Sequence, residues 1–329
     1  MKTQNNVDLC YPHLYNNSCK KPPSPWTEVV LVQIILSLIS MITVVLNLLV
    51  IISVSHFRQL HTPTNILLLS LAVSDLLVGF LAMPGEIYRN ESCWFLGDNI
   101  CCIYNYLCFI ITAASIGDMV LISIDRYVAI CDPLHYQTRV TERRVKVCVC
   151  LCWLCSALYV ILFIKDDLIQ AGMNNSCYGE CVTAFDIIAG TFDLILTFIA
   201  PVTSIIVLYT RIFVVAMSQA RAMRSHITAI KLQLSVTTTA KKSELKAART
   251  LGVLVVVFLV SICPFYCIYL TGVELFSSFS VLAVDYLFYF NSCVNPVIYA
   301  LLYPWFRKTT KLIVTLQILK PGSCKTVIQ

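Results

Sequence analysis

The chain has 329 residues, 58% of them hydrophobic and only 13% charged, where a soluble domain carries about 25% charged residues. Mean hydropathy is +0.79, which excludes a disordered chain, a coiled coil and a secreted disulfide scaffold, and leaves a multi-span helical membrane protein. The net charge of +6 does not indicate a nucleic-acid partner, because the basic residues lie between apolar runs rather than on a soluble patch.

Residues 1–28 read as an extracellular N-terminal segment. Met1 to Asn6 is polar and no cleavable signal peptide is expected, so the first long apolar run inserts the chain itself. A bilayer core of about 30 Å takes about 20 residues of helix. Seven stretches qualify, near 29–55, 64–84, 99–128, 147–165, 185–214, 246–271 and 279–303. They must be helices, since open strands would leave backbone groups unpaired in lipid. Residues 29–303 thus form one seven-helix membrane domain, an all-α bundle.

An odd number of spans puts the termini on opposite sides. With the N-terminus outside, only Lys2, Lys20, Lys21, Arg89 and Lys165 of the 24 Lys and Arg fall outside, and the positive-inside rule selects that orientation. The sequons at Asn16, Asn90 and Asn174 then lie outside and can be glycosylated. So do Cys10, Cys19, Cys93, Cys177 and Cys181, with Cys101 at the outer start of the third span. Outside is where disulfides persist. Most of the other cysteines sit inside apolar stretches and act as small hydrophobes. No Cys-x-x-Cys pair has a second pair at zinc spacing, so no metal site is expected.

Residues 304–329 read as a short amphipathic eighth helix, best formed over Lys311 to Leu319, and a cytoplasmic tail. Cys324 is either palmitoylated there or an unmodified tail cysteine. No transporter-like internal repeat is visible, and no nucleophile–base pair or metal cluster supports an enzyme.

Ionisable residues within spans are costly and are functional candidates by default. Asp75, Asp118, Asp193 and Asp285 qualify, with no Lys or Arg read at matching depth. Either a cation arrives from outside, or some of them are protonated, or they hydrogen-bond locally. Asp193 precedes Pro201 by eight residues, about 12 Å along a helix. Asp285 precedes Tyr289 by four, on the same helical face. Phe265, Tyr266 and Tyr269 follow Pro264, and aromatic faces attract cations by about 0.5–2 kcal/mol each.

Several motifs occur in order: Asn47, Asp75, Asp125-Arg126-Tyr127, Trp153, Pro201, Pro264 and Asn295-Pro296-Val297-Ile298-Tyr299. Together they resemble a rhodopsin-like G-protein-coupled receptor over nearly the whole chain. Asn291-Ser292 ahead of Asn295-Pro296, then Tyr299, Tyr303 and Trp305-Phe306, resemble the trace amine-associated receptors more narrowly. So do His61-Thr62-Pro63-Thr64-Asn65, Phe306-Arg307-Lys308 and Cys177-Tyr178-Gly179-Glu180-Cys181. A fish-type olfactory member is suggested by the carboxylate pattern.

The resemblance implies a small amine as ligand, a heterotrimeric G protein of the stimulatory or olfactory class, a rise in cyclic AMP, and a plasma-membrane location in olfactory neurons. Most aminergic receptors anchor the ammonium on an aspartate seven residues after the cysteine that opens the third span. Here that position is Cys108, a neutral thiol. Some fish members have instead gained an aspartate in the fifth span, where Asp193 stands. The implied ligand set is Asp193, Asp285, Phe265, Tyr266, Tyr289, Thr112 and Cys108, with Thr197 able to add a polar contact. Asp118 is implied to be a buried node facing Ser70 and Trp153.

The implied switch comprises Asp125, Arg126 and Tyr127, with Glu244 pairing Arg126 at rest, and Asn295, Pro296 and Tyr299. Asp75 with Ser115, Asn291, Ser292 and Asn295 resembles a sodium pocket; no other cofactor is expected. Ile262 replaces the family's usual tryptophan two residues before Pro264. Cys101–Cys181 and Cys19–Cys177 are the implied disulfides, with Cys10 the less favoured partner of Cys177. The alternatives are a receptor for a transmitter amine or for a non-amine ligand.

Overall fold

The computed structural model describes residues 9–13, 17–20, 26–91, 93–169, 177–181, 187–229, 235–271, 275, 278–320 and 323–325. Among them, seven helical spans are long and apolar enough to cross a membrane. Helix α1 is Trp26–His56. Helix α2 (Pro63–Leu77) continues through a π segment, Val78–Ala82, into α3 (Met83–Glu91). Helix α4 (Asp98–Cys131) leads to the short α5 (Pro133–Arg139) and then α6 (Glu142–Ile169). The fifth span is α7 (Ile187–Asp193), a second π segment (Leu194–Ile199) and α8 (Ala200–Ala229). Helices α9 (Ser235–Thr271), α10 (Ser278–Leu302) and α11 (Pro304–Val314) complete the chain.

Helix α4 lies at the centre, packed on α2, α6, α8 and α9. The main core joins Leu68, Leu71, Met119, Ile122, Ile205 and Leu254, all buried. The outward faces of α1, α6 and α8 stay apolar, with Leu38, Leu154 and Val207 about half exposed. Apolar residues on both the core side and the outer side mark helices solvated by lipid rather than by water.

Both π segments precede a proline. Met83 N–H bonds to the carbonyl of Val78, and Ala200 N–H to that of Ile195, each five residues back. The widened turn accommodates Pro84 and Pro201, which have no N–H to donate and would crowd a regular α turn. The second span therefore does not stop at 84, where the apolar run ends; its helix carries on to Glu91. Helices α6, α8 and α9 also outrun their apolar stretches, because a helix continues into polar sequence beyond the hydrocarbon.

The tail helix lies earlier than the sequence reading had it, at Pro304–Val314 rather than Lys311 to Leu319. Pro304 at the first helical position pre-sets φ and needs no hydrogen-bond partner. Leu316 at φ 55° ends the helix, and Gln317–Leu319 forms a separate 3-10 turn. Phe306 is buried, while Trp305 and Leu312 pack on Phe57 and Leu60. Arg307, Lys308 and Lys311 are exposed.

Three disulfides gather at the opposite end of the bundle: Cys10–Cys93, Cys19–Cys177 and Cys101–Cys181. The Cys10–Cys93 bridge has no counterpart in the sequence reading, which left Cys93 without a partner. It ties the N-terminal segment to the α3–α4 connection, as Cys19–Cys177 ties it to the α6–α7 connection. Backbone hydrogen bonds lace the same pieces together, including Cys10 N–H to Cys19 O at 2.9 Å, Tyr178 N–H to Asn17 O at 2.7 Å and Trp94 N–H to Gly179 O at 2.8 Å. Gly179 has φ +103°, and a Cβ there would lie 2.7 Å from the Cys10 Cβ. Glycine is what lets these two segments meet.

Candidate functional site

Beneath the disulfide-bonded cover lies a cavity of about 1050 Å³ between α3, α4, the α7 segment, α9 and α10. Asp193, Asp285, Phe265, Tyr266 and Tyr289 all line it. Thr112 and Cys108 line it from α4. The cavity is thus walled by aromatic rings with a few polar groups between them, the usual make-up of a small-molecule pocket.

Asp193 sits where α7 meets the π segment. Tyr159 of α6 donates to its Oδ1 at 2.7 Å. Thr197 donates to the Asp193 backbone carbonyl at 2.6 Å, and its Oγ1 also lies 2.6 Å from the Tyr266 hydroxyl. Tyr266 stacks on Phe198 at 4.4 Å between ring centroids. Among the described residues no Lys, Arg or His forms an ion pair with Asp193. The carboxylate is held in place by a phenol and left with acceptor capacity toward the cavity.

Phe265 lies 4.5 Å from Tyr269 and 4.9 Å from Phe288, ring to ring. Tyr269 donates to Asp285 Oδ1 at 3.4 Å, a long contact. Cys108 packs against Trp94, Cys101, Tyr104 and Cys181, so its thiol belongs to the cavity wall below the Cys101–Cys181 bridge.

Four charged residues line the cavity beyond the expected aspartates: Lys20 and Glu180 in the disulfide-bonded cover, and Glu86 and Arg89 in α3. Glu86 and Arg89 are paired at 2.6 Å. Contrary to the expectation that no Lys or Arg lies at the depth of the aspartates, Arg89 shares the cavity with Asp285, which lies within the electric fields of Glu86 and Arg89. The cause is the continuation of the second span past Pro84. Residues past 84, placed by the sequence in an outer segment, become the last turns of a helix, with Glu86 and Arg89 lining the cavity. The Glu86–Arg89 spacing of three, helical after Pro84, was the available signal. Asn16 and Asn174 lie outside the described residues. Asn90 falls in the last turns of α3.

Deeper in the bundle, Asn295 donates to Asp75 Oδ2 at 2.8 Å. Asn47 donates to the carbonyls of Thr43 and Ser292, both at 3.0 Å. Asp75 Oδ1, Asn291 Oδ1 and Asn295 Oδ1 are buried acceptors without a hydrogen-bond donor. Ser115 lines a small void of about 30 Å³ together with Asn291 and Ser292. Buried oxygens short of donors fit a hard cation such as sodium. Asp118 accepts from Ser70 at 2.7 Å, whose Oγ in turn accepts from Trp153 Nε1 at 3.0 Å, which makes Asp118 a node of the interior and not of the cavity.

Ile262 is 1% exposed and packs with Phe258 and Tyr266 in the main core. It borders the small void lined by Ser115, Asn291 and Ser292, whose 30 Å³ is about one water molecule's share of liquid volume and too little for an indole. Ile262→Trp is therefore expected to overpack the core and to lower thermal stability by about 1–3 kcal/mol, read as a lower melting temperature of the purified protein. An unchanged or raised melting temperature would show that the site has room for the indole.

At the far end of α4, Arg126 pairs with its neighbour Asp125, and both are buried. Thr64 donates to Asp125 Oδ2 at 2.9 Å and Tyr136 to Oδ1 at 2.8 Å. Burial pushes the Tyr136 phenol up to about 12, so it remains a donor at neutral pH. Tyr127 packs against Ile130 and Ile212. Tyr299, three residues after Pro296, is 1% exposed. Glu244 lies in α9, and its side chain is outside the described residues.

The family model "7 transmembrane receptor (rhodopsin family)" matches residues 46–299. The chain is 37% identical to trace amine-associated receptor 13c of Danio rerio, covering 96% of this chain and 94% of that one. It is 38% identical to trace amine-associated receptor 5 of Rattus norvegicus (95% and 93%) and 36% identical to trace amine-associated receptor 1 of Mus musculus (92% and 95%). With seven apolar spans, an aromatic cavity under a disulfide cover and full-length similarity of this order, the chain is a multi-pass membrane protein that belongs to the trace amine-associated receptors of the rhodopsin family, which are receptors and not enzymes.

Proposed function

We propose that this G-protein-coupled receptor responds to a small amine whose ammonium group is held by Asp193. The observation that carries the reading is the Asp193 carboxylate, positioned by Tyr159 in a cavity wall with no ion-pair partner among the described residues. An ionised carboxylate in a largely apolar site requires a cation or a hydrogen-bond network to offset its desolvation. Tyr266, Phe265 and Tyr289 supply ring faces to the same ligand. Cys108, at the position where other aminergic receptors carry the anchoring aspartate, offers no charge. The relatives named above are trace amine-associated receptors, which supports the amine class.

In this reading the disulfide-bonded end and residues 1–28 face outward, and residues 304–329 face the cytoplasm. Ligand binding biases a two-state bundle. Arg126, held by Thr64 and by an Asp125 that Tyr136 fixes in turn, is released toward a G protein of the stimulatory class, with Glu244 as a resting partner, and cyclic AMP rises. Sodium at Asp75, Ser115, Asn291, Ser292 and Asn295 favours the resting state. Olfactory detection and glycosylation at Asn16, Asn90 and Asn174 belong to the same reading.

The test is cyclic AMP in cultured cells exposed to mono-, di- and cyclic amines, with surface expression measured in parallel. A dose-dependent rise supports the reading; silence at full surface expression, with a control receptor active in the same cells, overturns it in favour of a non-amine ligand. If the sodium site is right, Asp75→Asn abolishes the loss of agonist affinity that sodium causes in wild-type membranes when potassium is replaced by sodium. An unchanged sodium effect in that variant would remove the ion from this pocket.

A further inference from the structure

The α3 and α10 walls of the cavity carry three charged side chains, Glu86, Arg89 and Asp285. Arg89 Nη2 donates to Glu86 Oε2 at 2.6 Å; the Glu86 side chain is 6% exposed and that of Arg89 29%. The Tyr104 hydroxyl shares its proton between the other oxygen, Glu86 Oε1, at 3.0 Å and the Ala82 carbonyl at 2.9 Å. The ring of Tyr104 comes this close because residue 85 is glycine; a Cβ there would lie 2.1 Å from it. Glu86 is thus fixed from two sides. Among the described residues Asp285 has only the long contact from Tyr269, and it lies in the fields of both Glu86 and Arg89.

The charge count follows. A guanidinium stays protonated at any accessible pH. Two carboxylates and one guanidinium give this wall one net negative charge, not two. Asp193 adds a second negative charge on the α7 side, while Lys20 and Glu180 of the cover, which also line the cavity, carry opposite charges and leave that sum unchanged. A ligand therefore meets a cavity with a cation already installed beside one carboxylate.

We infer that Arg89 is a specificity-determining residue that limits how many positive charges the ligand may carry. Resting on the amine reading of Asp193, the inference is that Arg89 occupies Glu86 as a tethered counter-ion and keeps a further ammonium away from it. Polyamines with three charges are disfavoured, and removing the guanidinium converts the site into a polyamine site. At an effective dielectric constant near 20, one unit charge several ångströms away changes binding by about tenfold or more.

The experiment uses the purified full-length receptor and its thermal shift with n-butylamine, putrescine and spermidine as mono-, di- and trivalent probes. Arg89→Gln is expected to tighten spermidine binding about tenfold while butylamine changes less than twofold. Arg89→Lys retains the wild-type order. Glu86→Gln leaves Arg89 uncompensated and moves the spermidine-to-butylamine ratio the opposite way, which keeps the test available should Arg89→Gln fail to fold. Equal shifts for all three amines in Arg89→Gln, or a ratio unmoved in either variant, would overturn the inference; so would an Arg89→Gln receptor that takes no spermidine. Asp193→Asn is read separately. If it leaves butylamine binding intact, the amine anchor is wrong, while the ratio set by Arg89 and Glu86 is still judged on its own.

Discussion

Asp193→Asn is expected to raise the amine concentration needed for half-maximal cyclic AMP by about 100-fold or to abolish the response. The substitution keeps the size of the side chain and an oxygen able to accept from Tyr159, at present 2.7 Å away. It removes only the charge. Breaking a desolvated ion pair from one side costs about 3 kcal/mol or more, because the other charge is left uncompensated, and 1.4 kcal/mol is a factor of ten. Tyr159→Phe is the companion variant. It keeps the charge and frees the carboxylate to rotate, so its effect should be smaller, about three- to tenfold. If both variants cost the same, the phenol and not the charge would be the ligand contact. If Asp193→Asn responds as wild type does, at equal surface level, the ammonium is held elsewhere and Asp285 becomes the first residue to test.

Much of this site is legible in the sequence because membrane physics makes polar residues conspicuous. A lone carboxylate such as Asp193, flanked by Phe192, Leu194 and Ile195, stands out against the apolar run that surrounds it. The aromatic walls are legible through the family resemblance, which singles out Phe265, Tyr266 and Tyr289, while spacing alone leaves each ring open to ordinary helix packing. What escapes is anything that depends on where a helix continues or how its register shifts. The π segments at Val78–Ala82 and Leu194–Ile199 leave no periodic trace; the following prolines mark an irregularity without fixing its form. Glu86 and Arg89 escape for a related reason. Composition assigns a charged stretch to water, and only the helix continuing to Glu91 turns it inward. Connectivity of cysteines is the third limit. Spacing alone does not distinguish Cys10–Cys93 from the other pairings open to the same residues.

The three disulfides differ in consequence, and Cys101→Ser is expected to have the largest structural effect of any substitution at the cavity. The Cys101–Cys181 bridge spans 80 residues, enclosing α5, α6 and most of α4. It fastens the cover directly to the central helix. Both cysteines are buried, packed with Trp94 and Tyr104, and Asn105 Nδ2 lies 3.5 Å from the Cys101 sulfur and 3.8 Å from the Cys181 sulfur. Losing a native bridge costs about 2–5 kcal/mol, and here it would also release Cys181 from the cavity wall. Surface expression should fall to a small fraction of wild type. Cys10→Ser with Cys93→Ser should behave differently, because Cys19–Cys177 and the backbone bonds of residues 17–20 with Tyr178 still hold the N-terminal segment. That pair is expected to reach the surface at half or more of the wild-type level and to alter ligand potency more than abundance. Flow cytometry on intact cells, beside the cyclic AMP dose response, separates the two. Equal loss of surface expression in both variants would mean that the N-terminal cover is as necessary to the fold as the bridge on the central helix.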